Sequence, residues 1–278
     1  VTAVADAGLS GLLIVLFGVL GLLLGSFLNV VVYRLPNGIS LIAPPSACPQ
    51  CGSAIRPVDN VPVLSWLLLR GRCRACKTAI SRRYPLVELG TAIAFATITA
   101  WALSGTEASL LVGILTLVAF LYLACVSLAL GLIDLDVHRL PNSIVLPGYV
   151  VGLALLGTAC VVSGDFDALL RAGVGLGALW GAYLIMALSY PGGMGFGDVK
   201  LAGLLGLFLG YLGWGQLLVG GFAAFLLGGT FALALLISRR ANRKSGIPFG
   251  PWMLVGAWVG VFFGASIWSG YLSLLGVA

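Results

Sequence analysis

Apolar residues in this 278-residue chain come in runs of about twenty, which excludes most folds open to a protein of its size. The runs lie near 9–33, 86–103, 109–133, 143–162, 168–189, 199–213, 216–237 and 251–274. About twenty apolar residues coiled as an α-helix match the hydrocarbon thickness of a bilayer. A membrane β-barrel would instead alternate apolar and polar residues in segments of about ten. Sixty per cent of the residues are hydrophobic and only 9% are charged, against about 25% charged in a soluble domain. Forty glycines suit helices that pack closely through small residues. The expected architecture is an all-α polytopic membrane protein with about eight transmembrane helices. The sixth run is short and glycine-rich, so its limits are the least sharply drawn. The first run exceeds a signal-peptide core and no small-residue cleavage site follows it, so it reads as a retained helix.

The basic residues orient this bundle. With eight spans, one face receives Arg34, Arg56, Arg70, Arg72, Arg74, Lys77, Arg82 and Arg83, and also Arg139, Lys200, Arg239, Arg240, Arg243 and Lys244. Fourteen of fifteen basic residues thus share a face that reads as cytoplasmic, leaving Arg171 opposite. The other side carries Asp6, Glu107, Asp165 and Asp167, and both termini are expected there, outside. The net charge of +6 is then a topology signal toward the lipid bilayer and calls for no nucleic acid.

Two acidic motifs stand at the ends of apolar runs on that cytoplasmic face: Gly131-Leu132-Ile133-Asp134-Leu135-Asp136 and Gly195-Phe196-Gly197-Asp198. Ionisable groups at such depths are costly and mark pathways or reactions. Sixty-four residues separate Asp134 from Asp198, yet topology returns both to one membrane face. Two carboxylates sharing a low-dielectric site do not both ionise, which supplies an acid and a base at neutral pH. Such a pair can activate water for peptide hydrolysis without a covalent intermediate. The plainer reading has these groups capping helices or pairing with Arg139 and Lys200. Gly195 and Gly197 weigh against it, since glycine opens backbone conformations closed to other residues and admits close approach of another chain. Pro191-Gly192-Gly193-Met194 before them reads as a flexible entry for an extended substrate. Asp136 is the weaker of its pair and has a supporting role, as do Gly195, Gly197 and Lys200.

About fifty residues between the first two spans contain Cys48-Pro49-Gln50-Cys51 and Cys73-Arg74-Ala75-Cys76, two Cys-x-x-Cys pairs 21 residues apart. Four thiolates at this spacing fit a closed structural zinc site. Two disulfides are the alternative, disfavoured in a reducing cytoplasm. Cys125 and Cys160 fall within spans and read as packing residues. His138 reads as a solvated interfacial side chain, and Glu88 as a charge favourable at the start of the second span. There is no phosphate loop, no dinucleotide fingerprint and no internal repeat.

Taken in order, the motifs resemble those of type IV prepilin peptidases. The resemblance is carried by Gly25-Ser26-Phe27-Leu28-Asn29-Val30-Val31-Val32-Tyr33-Arg34-Leu35-Pro36, by both cysteine pairs, and by Asp59-Asn60-Val61-Pro62-Val63-Leu64-Ser65-Trp66-Leu67-Leu68-Leu69-Arg70-Gly71 between them. It continues through Arg83-Tyr84-Pro85-Leu86-Val87-Glu88, Ile133-Asp134-Leu135-Asp136 with Leu140-Pro141-Asn142, and Gly195-Phe196-Gly197-Asp198-Val199-Lys200. Asn142 departs from the Asp that many members carry there. The resemblance implies a bacterial inner-membrane enzyme of the Gly-x-Gly-Asp aspartyl protease group. Such enzymes remove the basic leader from prepilins or pseudopilins at the cytoplasmic face and N-methylate the new terminus with S-adenosylmethionine. It places the catalytic aspartates on Asp134 and Asp198, and associates the zinc-bearing loop with methylation. The implied organisation is a first helix over 1–34, a zinc-binding cytoplasmic domain over 35–84 and a membrane-embedded peptidase domain over 85–278. The reading from another class is a non-enzymatic scaffold or carrier with a zinc-stapled docking loop.

Overall fold

The computed structural model describes residues 2–105, 109–190, 194–238 and 248–276, with side chains from Gly8 onward. The Pro191-Gly192-Gly193 entry, Glu107, the Asp6 side chain and the basic anchor at 239–244 lie outside the described residues. Among the described residues the chain forms α-helices and no strands: α1 (Thr2–Arg34), α2 (Leu64–Leu68), α3 (Arg83–Leu103), α4 (Leu110–Val137), α5 (Asn142–Ser163), α6 (Phe166–Ser189), α7 (Phe196–Leu212), α8 (Trp214–Ile237) and α9 (Gly250–Leu274). Seven of these, all but α2 and α7, are long and apolar enough to cross a membrane. α7 corresponds to the short sixth run; its 17 residues extend about 26 Å at 1.5 Å per residue. It is buried on every side from Leu201 to Gly210, the pattern of a helix enclosed by other helices rather than by lipid.

The chain divides into two units. The first comprises residues 1–106 with 120–129, and the second 107–119 with 130–278. Glycines set the helix contacts within each. In the first, α1 lies against α3 so closely that a Cβ on Gly21 would stand 2.8 Å from Ala92 Cα, and one on Gly25 2.7 Å from Glu88 Cα. These glycines are four apart and so face the same way, the small-residue spacing that lets membrane helices touch backbone to backbone. In the second, Gly175 of α6 faces Gly206 of α7, where a Cβ would meet the Gly206 carbonyl at 2.5 Å. Lipid offers helices no hydrophobic reason to associate, so this close packing carries the cohesion.

Helix ends follow local chemistry. Asp165 caps α6 by accepting the Ala168 N–H at 2.9 Å. α4 runs four residues beyond the apolar limit at 133 and carries both its aspartates inside the helix. It stops where His138 turns left-handed (φ 52°), with the His138 N–H donating to the Asp134 carbonyl at 2.9 Å.

Candidate active site and metal centre

The position of Asp134 follows from that last helical turn. Ile133 and Asp134 face inward, with Asp134 only 5% exposed, whereas Leu135, Asp136 and His138 are exposed. Two residues along a helix is more than half a turn, so the two acidic side chains leave α4 on different sides. A buried carboxylate needs hydrogen-bond donors. Asp134 finds one across 116 residues: the Gly250 backbone N–H, at the start of α9, donates to Oδ2 at 3.1 Å.

Asp198 lies in the first turn of α7, where a negative charge meets the positive end of the helix dipole. Its Oδ2 accepts the Gly195 N–H at 3.3 Å, and its own N–H donates to the Gly195 carbonyl at 3.0 Å. This reciprocal pair closes the helix start. The end of α4 and the start of α7 meet through Leu140, which lies against Gly197 and against Gly250, the donor to Asp134. A Cβ on Gly197 would meet Leu140 Cβ at 3.1 Å, and one on Gly250 would meet Leu140 Cδ2 at 3.4 Å. Neither Gly195, at φ −75°, nor Gly197 adopts a positive φ. The expectation that both relieve the backbone conformationally is therefore corrected; Gly197 is small because Leu140 approaches it, and Gly195 leaves room in front of Asp198.

Lys200, two residues on, donates from Nζ to Asn142 Oδ1 at 3.0 Å and lies 5.9 Å above the Phe196 ring. It thereby ties the N-terminal part of α7 to the first residue of α5. Tyr183 of α6 is 2% exposed. Its ring packs with Phe225 and Phe249, centroids 5.3 and 6.3 Å away. Gly250 and Leu140 are the site residues that sequence reasoning missed. The Pro248-Phe249-Gly250-Pro251 cluster at a span boundary was the available signal.

In the first unit, the sulfurs of Cys48, Cys51, Cys73 and Cys76 lie within 4.8 Å of one another. The Cys48 and Cys76 sulfurs are 3.8 Å apart, the separation of about 3.8 Å that thiolates take when each is about 2.3 Å from a tetrahedral zinc. Each pair sits in the same turn. The Cys48 N–H donates to the Ser53 carbonyl and the Cys73 N–H to the Thr78 carbonyl, at 2.9 and 2.8 Å. Gly52 and Lys77, matching residues of the two turns, both have positive φ. Ser53 and Thr78 also match, and hydrogen bonds from each lower the pKa of the cysteine two residues before it. For Cys76, the Thr78 hydroxyl, 3.3 Å away, and then the Thr78 N–H bring it down to about 6. A depressed pKa favours the thiolate, the form that binds metal. Donor set and spacing fit zinc, which would hold two turns together in a loop with little core of its own.

Other contacts hold this loop to its helices. The Arg34 guanidinium, ending α1, donates to the Ser40 and Pro44 carbonyls at 2.9 and 2.7 Å. Arg74 forms a forked pair with Asp59, Nη2 to Oδ1 at 2.6 Å, and its hydrogen bonds hold that carboxyl below the usual range. Glu88 does more than favour a helix start: its Oε2 accepts the N–H of Val63 at 2.7 Å. Val63 has φ 61°, a strained value for a β-branched residue.

A model of the bacterial peptidase A24 N-terminal domain matches residues 19–102, and one of the type IV leader peptidase family matches 120–233. A protein of Pseudomonas putida described as "Prepilin leader peptidase/N-methyltransferase" is 39% identical, covering 95% of both chains. The chain belongs to the type IV leader peptidase family. Proteins with the same description from Aeromonas salmonicida and Pseudomonas aeruginosa are 36% and 37% identical, covering 96% and 92% of this chain and 97% and 92% of theirs. No solved structure matches. Membership and the seven apolar helices make this a multi-pass protein of the bacterial inner membrane.

Proposed function

We propose that this protein is a bifunctional prepilin leader peptidase. It cleaves the leader of type IV prepilins or pseudopilins with Asp134 and Asp198, then methylates the new N-terminus with S-adenosylmethionine as co-substrate. The observation that carries this reading is the buried Asp134 carboxylate, held by the Gly250 N–H, with Leu140 packed against both Gly250 and the Gly197 that precedes Asp198. The family resemblance and the descriptions of the relatives support both activities.

In the mechanism, one aspartate is ionised and the other protonated, with the attacking water between them. The ionised group takes a proton as water adds to the scissile carbonyl. The protonated group donates a hydrogen bond to the developing oxyanion, and its proton then passes to the leaving amine. The two titrate as a pair, so the roles belong to the dyad. The Gly250 and Gly195 N–H groups orient the carboxylates, and Leu140 packs against both Gly250 and Gly197. The positively charged leader stays on the cytoplasmic side, among the basic loops, while the apolar stem of the substrate lies in the bilayer. The active site then faces the cytoplasm and both termini lie outside. Residues 35–84 form the zinc-stabilised domain associated with methyl transfer, and 85–278 the peptidase domain. Neither activity calls for nucleic acid.

The test is mass spectrometry of a purified prepilin incubated with the full-length protein in vesicles, with and without S-adenosylmethionine. The expected product lacks the leader and, when the methyl donor is present, carries one added methyl group on its new terminus. An uncleaved prepilin that nonetheless binds the protein would favour the scaffold reading.

A further inference from the structure

The loop that carries the cysteines also presents an apolar face that zinc binding does not use. It is built on α2. The inward side of α2 is satisfied: the Ser65 hydroxyl, in a residue 6% exposed, accepts the Val61 N–H and donates to the Val58 carbonyl, both at 3.0 Å. The Trp66 indole N–H donates to the Ile80 carbonyl at 3.2 Å, and its ring covers Gly71, where a Cβ would be 2.8 Å from it. With 65 and 66 directed inward, Leu64, Leu67 and Leu68 share the opposite face, since residues three and four apart are neighbours on a helix. They are 58%, 57% and 83% exposed. Arg70 and Arg72 follow at once, both exposed.

Three contacts place this face beside the bilayer. The N–H of Val63, the residue before α2, is held by Glu88, which lies inside the membrane helix α3. The Arg34 guanidinium at the end of α1 gathers the start of the loop through Ser40 and Pro44. Asn29 of α1 donates to the Tyr84 carbonyl of α3 at 3.2 Å, so the two ends of the loop leave the membrane together. Asp59, the sole acidic residue between Arg34 and Arg83, is neutralised by Arg74, so the loop surface is basic. Leucines on one side and arginines at the edge are the make-up of a segment lying in the lipid interface, and arginines near a leaflet attract anionic headgroups.

We propose that α2 is an interfacial anchor. Leu64, Leu67 and Leu68 enter the boundary between headgroups and acyl chains of the adjoining leaflet, and Arg70 and Arg72 bind the phosphates of anionic lipids. The anchor fixes the height of the zinc loop above the membrane, independently of the zinc.

The test places a nitroxide at position 68 through a non-natural amino acid, leaving every cysteine and the zinc in place. The full-length protein is studied in vesicles of phosphatidylcholine with phosphatidylglycerol. The expected result is high collision with oxygen and low collision with a water-soluble nickel chelate at 68, and the reverse at Ala75, an exposed residue of the second cysteine turn. A second label at 64 is expected to match 68. Aqueous behaviour at both 64 and 68 would overturn the proposal. So would exclusion of both reagents, which would mean that protein, such as a second copy of the chain, covers the leucines. In the Arg70→Gln/Arg72→Gln variant, the depth at 68 is expected to lose its dependence on phosphatidylglycerol; an unchanged dependence would overturn the assignment of the arginines to lipid phosphate.

Discussion

Replacing Gly250 by Ala adds one carbon where the structure leaves no room. The new Cβ would stand 2.6 Å from Asp134 Oδ2 and 3.3 Å from its Cγ. Non-bonded heavy atoms settle at about 3.5 Å, so the carboxylate must retreat by nearly 1 Å and give up its 3.1 Å hydrogen bond from the Gly250 N–H. A hydrogen bond to a charged group is worth about 1.5–3 kcal/mol, and a displacement of about 1 Å in a catalytic group costs about a hundredfold. The expected result for Gly250→Ala is a fall in kcat of about a hundredfold with KM little changed. The assay is steady-state cleavage of a prepilin by the full-length protein in vesicles. Two other glycines of α9 separate this effect from packing. At Gly270 an added Cβ meets nothing within 4 Å, and Gly270→Ala is expected to behave as wild type. At Gly260 it would press on the Gln216 carbonyl at 2.7 Å, so Gly260→Ala is expected to lower thermal stability while the folded fraction keeps its kcat. Wild-type kcat in Gly250→Ala would refute the positioning argument. So would an equal loss in Gly260→Ala at matched folded fraction.

Three further outcomes follow from the same geometry. Gly197→Ala, pressed by Leu140 at 3.1 Å, is expected to slow cleavage more than Gly195→Ala, whose Cβ would make an ordinary 3.4 Å contact with Asp198 Oδ2; the reverse order in the same assay would contradict the packing account. Thr78→Val removes the hydroxyl beside Cys76 and is expected to speed zinc loss to a chelator about tenfold, as for other residues that support metal ligands; an unchanged rate would show that the hydroxyl does not support the metal. Glu88→Ala leaves the strained, half-buried Val63 N–H without its acceptor, at a cost of about 1 kcal/mol for the lost hydrogen bond. Limited proteolysis is expected to cut the loop near Val63 faster in Glu88→Ala, with Glu88→Gln, which keeps an acceptor oxygen, close to wild type.

Much of this molecule is legible in its sequence because lipid imposes a simple rule: a spanning segment must be apolar for about twenty residues and must satisfy its own backbone. Span limits and helix limits therefore agree within a few residues at most boundaries, and the four cysteines announce their cluster by spacing alone. Hydropathy misleads at the end of α4, because Asp134 and Asp136 look like the start of a loop. The helix continues through them, since one carboxylate is turned inward to a donor and the other outward. Gly250 and Leu140 escape a linear reading because their contacts with Asp134 and Gly197 come only from folding. Glu88 escapes it for a similar reason, its partner Val63 lying 25 residues away in an irregular loop. Composition and pattern thus report what each segment must avoid, whereas the site depends on which distant backbone atoms the packed glycines allow to meet.

The central claim is that Asp134 and Asp198 act as one catalytic pair, and the most direct measurement compares wild type with Asp134→Asn, Asp198→Asn and the double variant. Each amide keeps the shape of the side chain and removes its ability to share a proton. The account predicts loss of prepilin cleavage in either single variant, no further loss in the double, and full zinc content in all. Cleavage at the wild-type rate by either single variant would contradict it and move the chemistry to other residues.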